Sequence, residues 1–203
     1  EYGQYLLEIQ GIQTHPITEA ELAAQVCRMW SGGAAGLDGW RPAEYKFLPK
    51  LAWKQRSSVE AMFSAESCLP AIYFQVPVSM LRKGEGLVPL QHRGISVFTA
   101  SYRVIGCAWW HRIIPFFLEW VHPSAVGGLP GRECMEAAID AQLALEHATL
   151  QGARISGILL DYEKFFDKFD CEFFTALFKA VNLPPAVCDL FHIMYTNIQR
   201  RLK

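Results

Sequence analysis

The run Ile158-Leu159-Leu160 ends on Asp161 and continues as Tyr162-Glu163-Lys164-Phe165-Phe166-Asp167. An apolar run preceded by Gly152 and Gly157 has the pattern of a strand buried on both faces, so a buried strand is expected over 155–161. An ionised Asp at the end of such a strand needs a metal, a cation or water. A carboxylate in that place is how magnesium enzymes that handle phosphates hold their ion; it is equally where a cap for the following helix would stand.

The chain has 203 residues, 51% hydrophobic and 13% aromatic, which suits a packed globular protein and argues against disorder. Its longest apolar stretch, Val104–Val121, is broken by His111, Arg112, Pro115 and Glu119, so no membrane span is expected. There is no basic-then-apolar start, and an intracellular protein is expected. Cys27, Cys68, Cys107, Cys134, Cys171 and Cys188 are widely spaced without a CxxC pair, which reads as small buried residues in a reducing compartment.

A formal charge of −1 is not the sum expected of a nucleic-acid binder, but its distribution is uneven. Residues 79–103 hold Arg82, Lys83, Arg93 and Arg103 against Glu85, whereas residues 133–170 hold eight carboxylates against Arg154, Lys164 and Lys168. Such a pair of segments suits a cleft in which one lobe grips phosphate and the other holds metal; it also suits two ordinary solvated faces.

Thr18 and Glu21 form a capping box ahead of Leu22, Val26 and Met29, which predicts a helix over 19–30. Asp38-Gly39 marks a turn, Pro42 a new helix start, and 50–67 a further helix. Two short strands, Val76–Leu81 and Gly94–Phe98, should form a hairpin across Lys83–Gly86. Tyr102–Trp120 reads as a long aromatic helix that Pro115 kinks or divides. A glycine-rich loop spans 123–131, and helices are expected over 134–150, 171–181 and 186–196. The end, Gln199–Lys203, has neither a cap nor a tail composition and reads as cut rather than finished.

In this order the features resemble the reverse transcriptases of non-LTR (LINE-type) retrotransposons and group II introns, over roughly residues 20–203. Ala35-Gly36-Leu37-Asp38-Gly39-Trp40 is similar to the family's "GPDG" element, with Leu37 where Pro is usual. Lys83-Gly84 is similar to "PKG", and Arg93-Gly94-Ile95-Ser96 to "RPIS" with Gly94 in place of Pro. Gly127 through Gly131-Arg132 is similar to "GFxxGRS", with Gly128 where Phe is expected and Ala125 where Gln is usual. Ile158–Asp167 is similar to the first palm motif.

The resemblance implies an α+β, right-hand polymerase fold. It would be helix-rich, with a lead-in over 1–18, a fingers-like region over 19–132 with a short antiparallel hairpin, and a partial palm over 133–203 with a buried palm strand. The implied activity is RNA-directed DNA polymerisation: magnesium-dependent nucleotidyl transfer from deoxynucleoside triphosphates onto a DNA primer along an RNA template. Asp161 would be the catalytic carboxylate and, with the Tyr162 carbonyl, a magnesium ligand. Lys83 and Arg93 would grip the triphosphate, or are surface cations on a turn. Phe166 would lie under the sugar and exclude a 2′-hydroxyl, or packs the core. Gly127, Gly131 and Arg132 would approach the template, or form a surface loop. Trp109 and Trp110 read as core before they read as stacking platforms.

The family's second palm motif, an aromatic followed by x-Asp-Asp, does not occur, and neither does the thumb. The expected state is therefore an enzyme domain inactive by itself, separated from its downstream palm and thumb, acting in the nucleus if its element integrates. The alternative is a non-catalytic nucleic-acid-binding remnant of a retroelement, which the substitutions at Gly94, Ala125 and Gly128 favour.

Overall fold

The computed structural model describes residues 10–82, 92–161 and 170–202. Lys83, Tyr162 and Phe166 lie outside these residues. In chain order the elements are α1 (Glu19–Arg28), α2 (Pro42–Tyr45), α3 (Lys50–Ala65), α4 (Ala71–Phe74), β1 (Gln75–Arg82), β2 (His92–Ser96), α5 (Ala100–Trp120), α6 (Cys134–Leu150), α7 (Cys171–Ala180), α8 (Pro185–Asn197) and β3 (Gln199–Leu202). They group into two compact units, Glu1–Ile113 with Asp170–Lys203, and Ile114–Phe169. These cuts fall at other places than the expected boundary at 132/133.

The first unit holds the core. Leu22 and Val26 project from one side of α1, four residues apart as a helix facing a core requires, and both are fully buried. They join Trp53 of α3, Tyr73 of α4, Val76 of β1, Val104, Ala108 and Trp109 of α5, and Met194 of α8. The α1 start is as the sequence predicts: the Glu21 backbone N–H donates to Thr18 Oγ1 at 3.3 Å, while Glu21 Oε2 accepts from the Thr18 N–H at 2.8 Å.

The sheet has three strands in the order β2-β1-β3. β1 and β2 are antiparallel, with Leu81 opposite Arg93 and Arg82 opposite His92, as the expected hairpin requires. β3 is an addition that the sequence did not announce. It runs parallel to β1 with Val76 opposite Arg200, and all four of its residues are exposed. Burial of side chains does not drive it; backbone pairing with the central strand does.

The second unit departs from expectation in one respect. Residues 153–161 form neither helix nor strand, and Ile158, Leu159 and Leu160 are 80% or more exposed. The buried palm strand expected there is therefore corrected to an exposed, unpaired segment. A strand exists only where neighbours satisfy its N–H and C=O groups, and among the described residues no strand lies beside it. α6 forms over the span predicted from its residues, yet none of its residues is buried. α5 is a single helix through Pro115, not two, and the division between the units falls within it at Ile113.

Candidate nucleic-acid interface

In the "GPDG"-like segment, Gly36 lies so close to the start of α5 that a Cβ would stand 2.5 Å from the Thr99 Cα, a place only glycine can fill. Asp38 Oδ2 accepts from the Ser101 N–H at 3.4 Å, while its Oδ1 is buried without a partner. Arg103 of α5 donates to the Ala34 carbonyl at 2.6 Å, and Lys46 to Ser31 Oγ at 2.8 Å. The segment is thus anchored to α5 through Ala34 and Asp38, and closed on itself by the Lys46–Ser31 bond. It encloses an open recess of about 430 Å³ lined by Ser31 through Ala35 and Arg41. Trp30, Trp40 and Phe47 stand exposed around the same stretch of chain, Trp30 at 78%. Exposed aromatics among cations are what base stacking requires; of the three only Trp40 falls in a motif-like element of the sequence. The signal was available in the clustering of Trp30, Trp40, Arg41, Lys46 and Phe47.

Behind this segment lies a buried polar cluster with no sequence signature. Tyr45 Oη and Ser101 Oγ are 2.6 Å apart, Arg56 Nε donates to Glu60 Oε1 at 2.8 Å, and Arg56 Nη2 donates to Tyr73 Oη at 2.6 Å. Glu60 is 3% exposed, and burial pushes its carboxyl up to about 7 despite the Arg56 charge. Tyr73 is pushed up to about 12, again chiefly by burial. A second glutamate moves the other way. Arg112 Nε and Nη2 fork onto the two oxygens of Glu21 at 2.6 and 2.7 Å and hold its carboxyl at about 2. Arg112 also donates to the carbonyls of Gln13, His15 and Pro16, fastening the lead-in segment to α5.

The other expected site residues are placed apart. Arg93 is exposed on β2, opposite Leu81 and so beside the strand that leads to Lys83. Gly94 of the "RPIS"-like element faces Val78, whose Cγ1 would lie 3.1 Å from an added Cβ. In the second unit, Gly131 adopts φ +73°, a left-handed conformation that suits glycine, whereas Gly127 has open space around it. Arg132 braces its own loop: Nη1 donates to the carbonyls of His122 and Ala125 at 2.9 Å and of Pro123 at 3.4 Å. Trp109 is buried in the core beneath the Arg112 guanidinium, and Trp110 is partly exposed.

Asp161 is exposed at the end of the unpaired segment. Magnesium takes six oxygen ligands in octahedral geometry, usually through one or two carboxylates together with waters and substrate phosphates. Among the described residues no three His, Cys, Asp or Glu side chains cluster, so Asp161 by itself does not make up such a site.

No protein-family model matches the chain. It is similar to the "Transposon TX1 uncharacterized 149 kDa protein" of Xenopus laevis, at 24% identity over 197 residues. The match takes in 93% of this chain and 14% of that protein, so the chain spans about one seventh of its relative's length.

Proposed function

We propose that this chain is the fingers and first palm part of the RNA-directed DNA polymerase of a LINE-type retroelement. The observation that carries the reading is the β1–β2 register, which sets the strand running to Lys83 antiparallel to the strand bearing Arg93. The register lays the strand that bears Arg93 along the strand that precedes the "PKG"-like element, the arrangement a phosphate-gripping hairpin would use. The similarity to a transposon protein supports the retroelement origin. The anchored glycine-rich segment with exposed Trp30, Trp40 and Phe47 supports a nucleic-acid partner.

In this reading Lys83 and Arg93 meet phosphate, and Phe166 lies under the deoxyribose. Asp161 and the Tyr162 carbonyl belong to a magnesium site whose remaining donors are not among the described residues. The substitutions at Gly94, Ala125 and Gly128 favour a second reading, a nucleic-acid-binding remnant without chemistry.

The test is extension of a DNA primer on an RNA template with magnesium, using the protein as its transcript encodes it and its Asp161→Asn variant. Extension that disappears in the variant supports the polymerase. Retention of template–primer without extension in either protein supports the remnant, and no binding by either overturns both.

A further inference from the structure

The three strands carry Arg82, Arg93, Arg200 and Arg201 with His92 and not one carboxylate, in a chain whose formal charge is −1. Side chains alternate along a strand and directly paired residues share a face, so the register sorts these cations. Leu81 pairs with Arg93, Ser79 with Ile95 and Pro77 with Arg201. Leu81, Ser79 and Pro77 alternate along β1, which puts Arg93 and Arg201 on one face. The pairs Arg82–His92 and Val76–Arg200 put the remaining three cations on the other.

Arg93 and Arg201 are both exposed, and neither has a hydrogen bond or ion pair with another described residue. The surface between them is Ser79 with Leu81 and Ile95, which are 52% and 40% exposed. Four positions along the strands at ~3.3 Å and two strand spacings of ~4.8 Å separate the two arginines by roughly 16 Å. A single nucleotide would need both side chains to converge on its triphosphate, whereas a strand of nucleic acid meets them where they stand. Such a strand carries a phosphate at every nucleotide and so offers more than one contact over that distance.

We propose that this face of the sheet binds the phosphate backbone of an RNA strand, with Arg93 and Arg201 as its two outer contacts and Leu81 and Ile95 against the sugars between them. The inference rests on the nucleic-acid reading above and deepens it: the phosphates that Arg93 meets include those of the strand. Arg201 enters the site only because β3 pairs in parallel with β1, which no motif in the sequence foretells.

The test is the salt dependence of binding to a labelled single-stranded oligouridylate long enough to cross the sheet, read by fluorescence anisotropy. Each phosphate contact on a single strand contributes about 0.7 to the slope of log K against log salt. Arg201→Gln and Arg93→Gln should each lower the slope by about 0.7, the double variant by about twice that, and Arg154→Gln, an equal loss of charge in the other unit, should leave it unchanged. All three positions are exposed, so the fold should survive, which circular dichroism checks. A wild-type slope in either single sheet variant, or an equal fall in Arg154→Gln, overturns the two-arginine face while the nucleic-acid reading stands. No binding by the wild type at any salt overturns that reading and the inference with it.

Discussion

The two units spend their apolar residues differently. In the first, Leu22, Val26, Trp53, Val76 and Met194 close on one another, and even polar groups such as Glu60 and Ser101 are enclosed with partners. In the second, Ile139, Leu143 and Leu145 of α6 and all of Ile158–Leu160 stand exposed, although their sequence is as apolar. Helix α6 forms with none of its residues buried, whereas the 158–160 run forms no strand. A helix satisfies its own backbone and a strand cannot, so local propensity suffices for the first and fails for the second.

The largest expected contrast is in core truncation. Leu22→Ala should cost about 3 kcal/mol of stability in denaturant unfolding, and Leu143→Ala, which removes an exposed side chain, less than about 0.5 kcal/mol. Equal costs would mean that α6 is covered in solution and would break the comparison.

Next comes Arg112→Met, which removes the fork onto Glu21 and the bonds to three carbonyls; the expected loss is about 2 kcal/mol at neutral pH. The Glu21 carboxyl is held below its ordinary value, so its contribution is present above about pH 4.5 and disappears as the pH falls towards about 2. Wild type should therefore lose stability over that window, and Arg112→Met should show a flatter acid limb in the same titration.

Glu60 predicts the opposite sign within the same unit. Its folded value, up to about 7, lies above the ordinary 4.5, so the fold is favoured while Glu60 is protonated. That advantage fades as the pH rises from about 4.5 to about 7. Glu60→Gln keeps an acceptor for Arg56 and should remove this decline, worth at most about 3 kcal/mol. Parallel pH profiles for the two proteins would show that Glu60 is not enclosed as its 3% exposure indicates.

The smallest free-energy effect should come from the exposed segment: Leu159→Ser ought to leave the unfolding midpoint of the first unit unchanged. Limited proteolysis sharpens the same point. The first cuts should fall within 151–161, before any in 19–82, and early cleavage inside α1 or α3 would contradict the division of the chain.

Much of the fold was legible residue by residue. The Thr18–Glu21 capping box fixed where α1 begins, Pro184-Pro185 separated α7 from α8, and the apolar pattern of Val76–Leu81 announced β1. The polar clusters were not legible, since Arg112 and Glu21, or Tyr45 and Ser101, are far apart in the chain and belong to no motif. Arg132 was legible as a loop residue, but its bonds to His122, Pro123 and Ala125 were not.

By itself the sequence determined the helices other than the short α4, the hairpin strands and the order of motif-like elements, because periodicity, caps and turn residues act within a few positions. Tertiary structure alone decided that Gln199–Leu202 is a strand and Ile158–Leu160 is not, for strand formation depends on a neighbour that local sequence does not name. It decided too that Glu21 and Glu60, alike in the sequence and each paired to an arginine, shift in opposite directions. Glu21 keeps partial contact with water and takes a forked guanidinium, while the desolvation of Glu60 outweighs its single Arg56 bond.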